Sequence, residues 1–137
     1  MKLENICGFR TLDDYVKYKL DRYSKEEKNF STLFEYMFSE SENVMTEVSD
    51  GYRIRRVTYR DFKKNILLKA PSVEAALSDV PKGGMVGIYM DNSAEWIEIF
   101  WSLLMTGYSP LLMNMRLDDE NIEKILSEHS VLAVISD

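Results

Sequence analysis

The sequence contains few of the side chains that could form a nucleophile–base pair or a metal site. The chain has one cysteine, Cys7, and one histidine, His129, which lie far apart in sequence. A cysteine nucleophile needs an adjacent base, and a zinc site of the usual kind needs several cysteine and histidine ligands. We therefore interpret Cys7 as structural or incidental. His129 continues the apolar spacing of a helix, so we expect it to be either satisfied by hydrogen bonds or half-buried rather than a catalytic base.

The consecutive acids Asp118, Asp119 and Glu120 are the strongest candidate for a metal site. Acidic side chains are also typical of the first turn of a helix, because the helix N-terminus carries a partial positive charge. An apolar pattern of helical spacing begins at Ile122. We therefore interpret these acids as the start of a helix capped by Asp118, and we expect no metal site in the chain.

The turn after the first buried strand is where an open α/β sheet would bind a nucleotide. A phosphate loop there needs glycines, so that backbone N–H groups can approach the anion. The sequence has Asp91-Asn92-Ser93 and Glu95 at this turn, and its Gly83-Gly84 pair precedes the strand instead. Two carboxylates at the positive end of a helix would repel phosphate. The turn is therefore predicted to cap a helix, with Asn92 as the cap.

Aromatic residues and methionines leave a choice between a ligand pocket and a packed core. Trp96, Phe100 and Trp101 lie on one predicted helix, and the chain contains eight methionines. That helix is apolar nearly all round, so we favour core packing for its aromatics. Methionine suits both adaptable packing and an acyl pocket, and the sequence leaves these two interpretations open.

Length and composition indicate about one packed domain, with 137 residues of which 45% are hydrophobic. A net charge of −6 argues against non-specific binding to nucleic acid or anionic membranes, which needs clustered cations. The run Arg53, Arg55, Arg56 is interpreted as a solvated strand face. The longest apolar stretch, from Trp96 to Met105, is too short to span a bilayer. A single cysteine and a charged N-terminus without a signal peptide lead us to expect a cytoplasmic protein.

Two helices and a hairpin are predicted for the N-terminal part of the chain. Thr11 begins a capping-box pattern for an amphipathic helix that runs to Tyr23, and Ser31 or Thr32 can cap a second, short helix. Further along, two alternating stretches flank Ser49-Asp50-Gly51. Asp-Gly between alternating stretches predicts a β-hairpin, because these residues tolerate positive φ.

A third helix is predicted to follow the hairpin. Thr58 has the capping-box acid Asp61 three residues later, and Val57 and Phe62 occupy the positions of a hydrophobic staple. Pro71 interrupts the hydrogen-bond ladder, so this segment forms either one kinked helix or two helices.

From residue 85 onward the pattern is β-α-β-α-β. Three short apolar strands, 85–90, 111–113 and 131–135, alternate with helices, which is typical of parallel strands buried on both faces. Gly107 follows the first of these helices, where a left-handed C-terminal cap belongs. The polar residues of that helix form one narrow stripe that we expect to face solvent: Glu95, Glu98, Ser102 and Thr106. The predicted fold class is α/β, the N-terminal part of a doubly wound, mainly parallel sheet preceded by helices and a β-hairpin.

The order of several short motifs resembles the N-terminal region of the adenylate-forming (AMP-binding) enzymes, and most closely that of the acyl-CoA synthetases. The resemblance covers residues 31–137, so we divide the chain into an N-terminal helical extension, 1–30, and an N-terminal subdomain fragment of an AMP-binding domain, 31–137. Gly84 departs from the pattern, since an acid is usual there. The matching motifs are Thr58-Tyr59, Lys82-Gly83, Asn92, Glu95-Trp96, Gly107, Asn114 and Arg116-Leu117.

The resemblance implies an ATP-dependent ligase. In this family a carboxylate, here a fatty or other apolar acid, attacks ATP to form an acyl-adenylate and pyrophosphate, and a thiol, commonly coenzyme A, then displaces AMP. ATP, Mg²⁺ and coenzyme A are thus implied for the intact enzyme. The family's phosphate loop, adenine motif, ribose-binding aspartate and C-terminal lysine lie downstream of the matching region. We therefore expect a truncated, inactive scaffold with no catalytic residue of its own and no bound cofactor.

The site prediction falls on Asn114, Met115 and Arg116, which follow the carboxyl end of a strand. In the intact enzyme they could approach the path of the acyl group or the thiol. The alternative, which we favour, is a simple strand-to-helix turn.

Two other function classes stay open. A stand-alone flavodoxin-like binding domain would need a ligand loop after a strand, and we find none. A protein-interaction module would self-associate through an open edge of the sheet, because an unpaired strand edge can pair with another chain.

Overall fold

The structure is a computed structural model that describes residues 11–39, 41–49 and 51–137. Cys7 and Asp50 lie outside these residues. The chain divides into two compact units, the first ending at Met37 and the second running from Phe38 to Asp137. In chain order the elements are α1 (Leu12–Ser24), α2 (Phe30–Met37), β1 (Val44–Ser49), β2 (Ile54–Thr58), α3 (Tyr59–Ala76), β3 (Met85–Tyr89), α4 (Ala94–Met105), β4 (Ser109–Leu112), α5 (Asp119–Glu128) and β5 (Ala133–Ser136).

Helices α1 and α2 belong to the first unit. The prediction of α1 is confirmed, and the Thr11 hydroxyl accepts a hydrogen bond from the Asp14 N–H at 3.1 Å. The predicted cap of α2 is wrong, because the Asn29 side chain, and not Ser31 or Thr32, accepts from the Thr32 N–H at 2.8 Å. Asparagine caps helices at least as well as serine and threonine, and here it precedes both along the chain.

The hairpin of β1 and β2 begins the second unit. The two strands are antiparallel with Ser49 opposite Ile54, so residues 50–53 connect them, and Gly51 has a φ of +89°. The hairpin prediction is confirmed. The arginines of β2 are exposed as expected, and Arg56 pairs at 2.9 Å with Glu47 on the opposite strand.

Helix α3 starts where the sequence predicts. The Thr58 hydroxyl accepts from the Asp61 N–H at 3.2 Å, and the Asp61 carboxylate accepts from the Thr58 N–H, which completes the capping box. Hydrogen bonds from the Thr58 side chain and backbone lower the pKa of Asp61. Val57 and Phe62 are both buried, as a hydrophobic staple requires. Pro71 lies inside one continuous helix, so of the two alternatives the single helix is correct.

A three-stranded parallel sheet forms the rest of the second unit. Its strand order is β4-β3-β5, and within the described part of the chain the two outer strands pair only with β3. The central strand contributes Val86 and Ile88, which are fully buried against Leu103 of α4 and its neighbours. The α/β fold class is confirmed. The two outer strands are shifted from the predicted ranges by about two residues, which is ordinary for strand ends.

Helix α4 contradicts the sequence interpretation of its polar stripe. Glu95 is exposed as expected, but Glu98 is 6% exposed and Ser102 is 0% exposed, so the middle of the stripe does not face solvent. It faces α3 instead: the Glu98 carboxylate accepts from the Asn65 side-chain amide at 2.8 Å and forms an ion pair with Lys69 at 3.1 Å. Lys69 also pairs with Glu95. The prediction was wrong because helical periodicity groups these residues on one face but does not say whether a neighbouring helix supplies polar partners.

Desolvation lowers the pKa of Lys69, but hydrogen bonds to Glu95 and Glu98 outweigh it, so the net shift raises that pKa. The lysine therefore stays charged between the helices. Although α4 is largely apolar, no helix among residues 11–39, 41–49 and 51–137 is long and apolar enough to cross a membrane.

Candidate functional site

The carboxyl ends of β3 and β4 open into a cleft of about 990 Å³, which we call the strand-end cleft. It is lined by residues 90–92 after β3, by residues 112–116 at the end of β4 and beyond, and by Trp96 of α4. All three residues of the predicted site, Asn114, Met115 and Arg116, lie on its wall. The position follows from the parallel topology, which brings the carboxyl ends of neighbouring strands to one edge of the sheet.

Local hydrogen bonds order the turn at residues 114–116. The Asn114 side-chain oxygen accepts from the Arg116 N–H at 2.9 Å, and its carbonyl accepts from the Leu117 N–H at 3.1 Å. The Tyr89 hydroxyl, at the end of β3, donates to the Met115 carbonyl at 3.4 Å. Asn114 therefore acts first as a turn residue, in agreement with the interpretation that the sequence favoured.

Arg116 gives the cleft a cationic group. Its side chain is exposed, and no carboxylate within residues 11–39, 41–49 and 51–137 forms an ion pair with it. A guanidinium offers several donors in one plane, which suits carboxylate and phosphate groups. The cleft can therefore hold an anionic group beside this guanidinium, while its wall also includes the Asp91 carboxylate and the exposed apolar side chain of Met115.

The turn after β3 is a helix cap, as the sequence predicts, but the capping residue is Ser93 rather than Asn92. The Ser93 hydroxyl accepts from the Trp96 N–H at 3.2 Å, and the helix begins at Ala94. Two adjacent residues here are both good caps, so the sequence could not separate them. The Asn92 side chain is left free to line the strand-end cleft. The Asp91 N–H donates to the Asp137 carboxylate at 3.1 Å and so ties the ends of β3 and β5 together.

A second cleft, of about 510 Å³, lies between β1 and the start of α4, and we call it the hairpin cleft. It is lined by residues 46–49 of the hairpin, by residues 92–94 and by Trp96 and Ile97. Asn92 and Trp96 line both clefts. The two clefts are therefore neighbours that share one wall.

The aromatics of α4 divide between core and cleft. Trp101 is buried and packs edge-on against Phe38 at 5.9 Å, which confirms core packing for that residue. Trp96 is only partly buried, lines both clefts and stacks on Phe100 with ring centroids 6.1 Å apart. Asn92 and Trp96 line the strand-end cleft but were not named in the site prediction, and Trp96 also packs against the buried core cluster, as the sequence interpretation favoured. Their position beyond the carboxyl end of a strand was the signal that could have identified them.

The remaining candidates have structural positions. His129 is exposed at the C-terminal cap of α5, so the half-buried alternative is wrong; none of the residues of α5 is fully buried. The Asp118 carboxylate caps α5 by accepting from the Asn121 N–H at 2.9 Å, as predicted. In the part of the chain that the structure describes, no three His, Cys, Asp or Glu side chains come close enough together to hold a metal.

Several motif residues lie at the opposite, amino end of the sheet. The Gly83 N–H donates to the Gly107 carbonyl at 2.7 Å, and both glycines have φ near +84°. Lys82 donates to the Thr106 carbonyl at 2.7 Å, at the end of α4, and lies 4.5 Å from the Tyr108 ring centroid. These contacts join the turn before β3 to the end of α4, so this motif is structural.

Comparisons with known proteins identify a family and several structures of similar fold. A family model described as AMP-binding enzyme matches residues 40–137. None of the curated proteins compared with the chain matches it.

Solved structures share the fold. The N-terminal subdomain of NpsA from Klebsiella oxytoca, in complex with 3-hydroxyanthranilyl-AMSN, has a TM-score of 0.62 and 23% identity over 79% of this chain and 25% of that one. An artificially fused NpsA-ThdA adenylation-PCP di-domain from the same organism gives 0.68 and 22% over 84% and 21%. The inhibitor-bound N-terminal domain of FACL13 from Mycobacterium tuberculosis gives 0.63 and 23% over 80% and 27%. At these identities the likeness shows the fold, and the chain spans 21% to 27% of these structures.

Proposed function

The chain belongs to the AMP-binding enzyme family, and from that membership we propose that it is the N-terminal portion of an enzyme that activates a carboxylate with ATP. The carboxylate oxygen would attack the α-phosphorus of ATP, releasing pyrophosphate and leaving an acyl-adenylate. The observation that carries this proposal is the family match over residues 40–137, which the shared fold of NpsA and FACL13 supports.

Within that enzyme this chain would act as scaffold. Its described residues do not fit ATP or Mg²⁺: the turn after β3 has no glycine, and no group of acidic side chains forms a metal site there. Transfer of a nucleotidyl group needs cations or donors where charge develops. No step of the reaction is therefore assigned to residues of this chain, and we expect the isolated chain to release no pyrophosphate.

We assign the strand-end cleft to the path of the acyl group or of the thiol acceptor. Asn114, Met115 and Arg116 lie on its wall, the first as a turn residue and the last as a cation without an ion-pair partner in the described chain. An acceptor such as coenzyme A carries phosphate groups that a guanidinium can bind. The second step would then be attack of the thiol on the acyl-adenylate, which releases AMP.

We further propose that the intact enzyme is an acyl-CoA synthetase that acts on an apolar acid in the cytoplasm. Met115 is exposed on the wall of the strand-end cleft, and methionine adapts to apolar groups of varied shape. Aromatic acids are the alternative substrates, since NpsA is solved with 3-hydroxyanthranilyl- and 3-hydroxybenzoyl-AMSN.

The test is pyrophosphate release by the full-length gene product with ATP, Mg²⁺ and a panel of alkanoic and aromatic carboxylates. We expect release with at least one acid, and thioester formation when coenzyme A is added. A carrier protein in place of coenzyme A tests the other acceptor. No release with any acid would count against ligase activity.

Self-association is a second candidate activity. Within the described residues the outer edges of β4 and β5 have no strand partner, so either edge could pair with another copy. Light scattering of the purified chain over a range of concentrations tests it, and a constant monomer mass would exclude it.

A further inference from the structure

We propose that α1 is a docking surface for a second copy of this chain, through an exposed row of Leu12, Val16 and Leu20 that we call the α1 stripe. These side chains are 57%, 42% and 62% exposed. They recur every four residues, so they form one row along the helix. The inference concerns a surface of the first unit and does not rest on the proposed function.

One flank of the α1 stripe already packs on α2. Tyr23 and Tyr36 have ring centroids 5.3 Å apart, and the Lys19 ammonium lies 4.9 Å from the Tyr36 ring centroid. The Tyr36 hydroxyl also donates a hydrogen bond to the Lys19 carbonyl. These contacts hold the two helices together but leave Leu12, Val16 and Leu20 exposed. An apolar row on a helix that is already held in place is suited to a further partner.

The charges of α1 disfavour a lipid or nucleic-acid partner. A helix that binds an anionic bilayer or a phosphate backbone carries an excess of cations. In α1 three acidic side chains balance three basic ones. They are Asp13, Asp14 and Asp21, and Lys17, Lys19 and Arg22. The α1 stripe therefore fits a protein surface whose own charges are balanced.

The charge pattern beside the α1 stripe is complementary to itself. Asp13 and Lys17 lie on the flank away from α2 and pair at 2.7 Å within the helix. If a second α1 lies antiparallel with Val16 opposite its counterpart, Leu12 lies opposite Leu20 of the other copy. At a rise of 1.5 Å per residue, Asp13 is then about 3 Å along the axis from Lys17 of the other copy. Two-fold symmetry repeats this pair, so the dimer gains two ion pairs between its helices.

A parallel arrangement lacks this match. In a symmetric parallel pair, the flank that bears Asp13 and Lys17 faces the other flank of the second helix. That flank bears Lys19, which contacts Tyr15 and Tyr36 and lies against α2. Only the antiparallel arrangement brings the two Asp13–Lys17 flanks together, so it is the one that we propose.

The size of the α1 stripe sets the expected affinity. Three aliphatic side chains from each copy form an interface at the small end of specific contacts, so we expect a dissociation constant on the order of tens of micromolar. Val16 lies at the two-fold axis. Val16→Glu would place two carboxylates opposite each other and should weaken the dimer by about a hundredfold or more. Glutamate favours the helix more than valine does, so α1 should persist.

Sedimentation velocity of the full chain, at concentrations on both sides of the expected dissociation constant, measures the association. The mass of the wild-type chain should rise from monomer toward dimer, and Val16→Glu should stay a monomer. Leu68→Glu is the matched control, because Leu68 is an exposed aliphatic residue on α3, in the second unit. It should dimerise like the wild type. Circular dichroism of each variant checks that its helices are retained.

Charge reversal tests the antiparallel arrangement. Asp13→Lys brings cations together across the interface and Lys17→Asp brings carboxylates together, so each variant alone should dimerise about tenfold more weakly. A mixture of the two variants restores opposite charges in both pairs between the helices. It should therefore form a heterodimer of about wild-type strength. Each variant keeps its broken Asp13–Lys17 pair in the mixture, so a purely local role of that pair gives no such rescue.

The proposal is overturned if the wild-type chain stays a monomer, if Val16→Glu dimerises as strongly as the wild type, or if the mixed variants show no rescue. A constant monomer mass with a lower melting temperature in Val16→Glu would assign the α1 stripe to a contact within one chain. Pairing through the edges of β4 or β5 would survive Val16→Glu, so the two modes of self-association are separated. Where Val16→Glu does not fold, the charge-reversed variants carry the test.

Discussion

Glu98 joins α3 to α4 through a nearly buried carboxylate, and its removal gives a direct test of that contact. We expect Glu98→Ala to lower the free energy of unfolding by about 3 kcal/mol. The change removes the acceptor of the Asn65 amide at 2.8 Å and one of the two carboxylates that pair with Lys69.

The magnitude follows from the burial of each partner. Truncating one member of a fully buried ion pair costs roughly 3 to 5 kcal/mol. The Lys69 side chain is 30% exposed and keeps Glu95 as a partner, so its share must be discounted for solvent screening. A hydrogen bond to a charged group contributes about 1.5 to 3 kcal/mol, which applies in full to Asn65. The lost hydrogen bond to Asn65 and the discounted ion pair with Lys69 together cost about 3 kcal/mol, which is near the lower end of the range for truncating a buried ion pair.

Urea unfolding followed by circular dichroism measures the effect. With a slope of roughly 1.5 kcal/mol per molar urea, the midpoint should fall by about 2 M. Glu95→Ala is the matched control, because it removes the other carboxylate of Lys69 but its side chain is 59% exposed. It should cost less than about 1 kcal/mol. Glu98→Gln, which retains an acceptor for Asn65, should lie between the two.

The pH dependence supplies an independent check. The pKa of Lys69 is raised, so on the alkaline side its ion pair contributes fully to stability until the pH reaches the ordinary lysine pKa of 10.5. That contribution is lost as the pH rises through the raised pKa, and the difference between wild type and Glu98→Ala should shrink there. If Glu98→Ala and Glu95→Ala were equally stable at neutral pH, the predicted cost of removing the buried carboxylate would be refuted. Glu98 would then behave like a residue exposed to solvent.

Other variants test the turns, the caps and the cleft. Gly84→Ala should destabilise the chain by about 1 to 3 kcal/mol in urea unfolding, because a Cβ there would lie 2.7 Å from the Pro81 carbonyl oxygen; an unchanged midpoint would contradict this. Thr58→Ala should cost about 1 kcal/mol as a lost helix cap, and an effect below about 0.3 kcal/mol would show that the cap contributes little. The pKa of Asp61 is lowered, so its ionised carboxylate contributes stability above the ordinary pKa of 3.8, and this stability is lost as the pH falls through the lowered pKa. The melting temperature of Asp61→Asn should therefore fall less steeply with decreasing pH than that of the wild type. The same dependence on acid pH in both proteins would argue against this role of Asp61. In the full-length protein, Arg116→Ala should raise the KM for coenzyme A by about tenfold or more while Arg116→Lys raises it less, and equal KM values would remove Arg116 from the acceptor path.

Local signals in the sequence predicted most of the fold. Thr11, Thr58 and Asp118 cap the helices that their spacing indicates, because a capping side chain bonds to backbone only three residues away. The prediction that Asn92 caps α4 was wrong, because Ser93, the next residue, can also cap the helix and does so. Neighbouring caps are nearly equal in energy, so the direction in which the chain enters the helix decides between them.

The candidate site was only partly predictable. Residues 114–116 were proposed from their place beyond the carboxyl end of a strand, and they line the strand-end cleft because parallel strands present their carboxyl ends at one edge of the sheet. Trp96 was assigned to the core, and it does pack against the core cluster. That it also lines the hairpin cleft depends on the hairpin, more than 40 residues away in sequence, whose residues 46–49 form the other side of that cleft.

By itself the sequence determined the alternation of capped helices and apolar strands, the parallel order that this alternation requires, and the resemblance that the family match confirmed. These features depend on periodicity and on contacts between residues close in the chain. Only the tertiary structure decided that Glu98 is buried against α3 and that Trp96 lines two clefts. Both depend on which elements pack together, because the same amphipathic helix can turn a given face to solvent, to a partner helix or to a cavity.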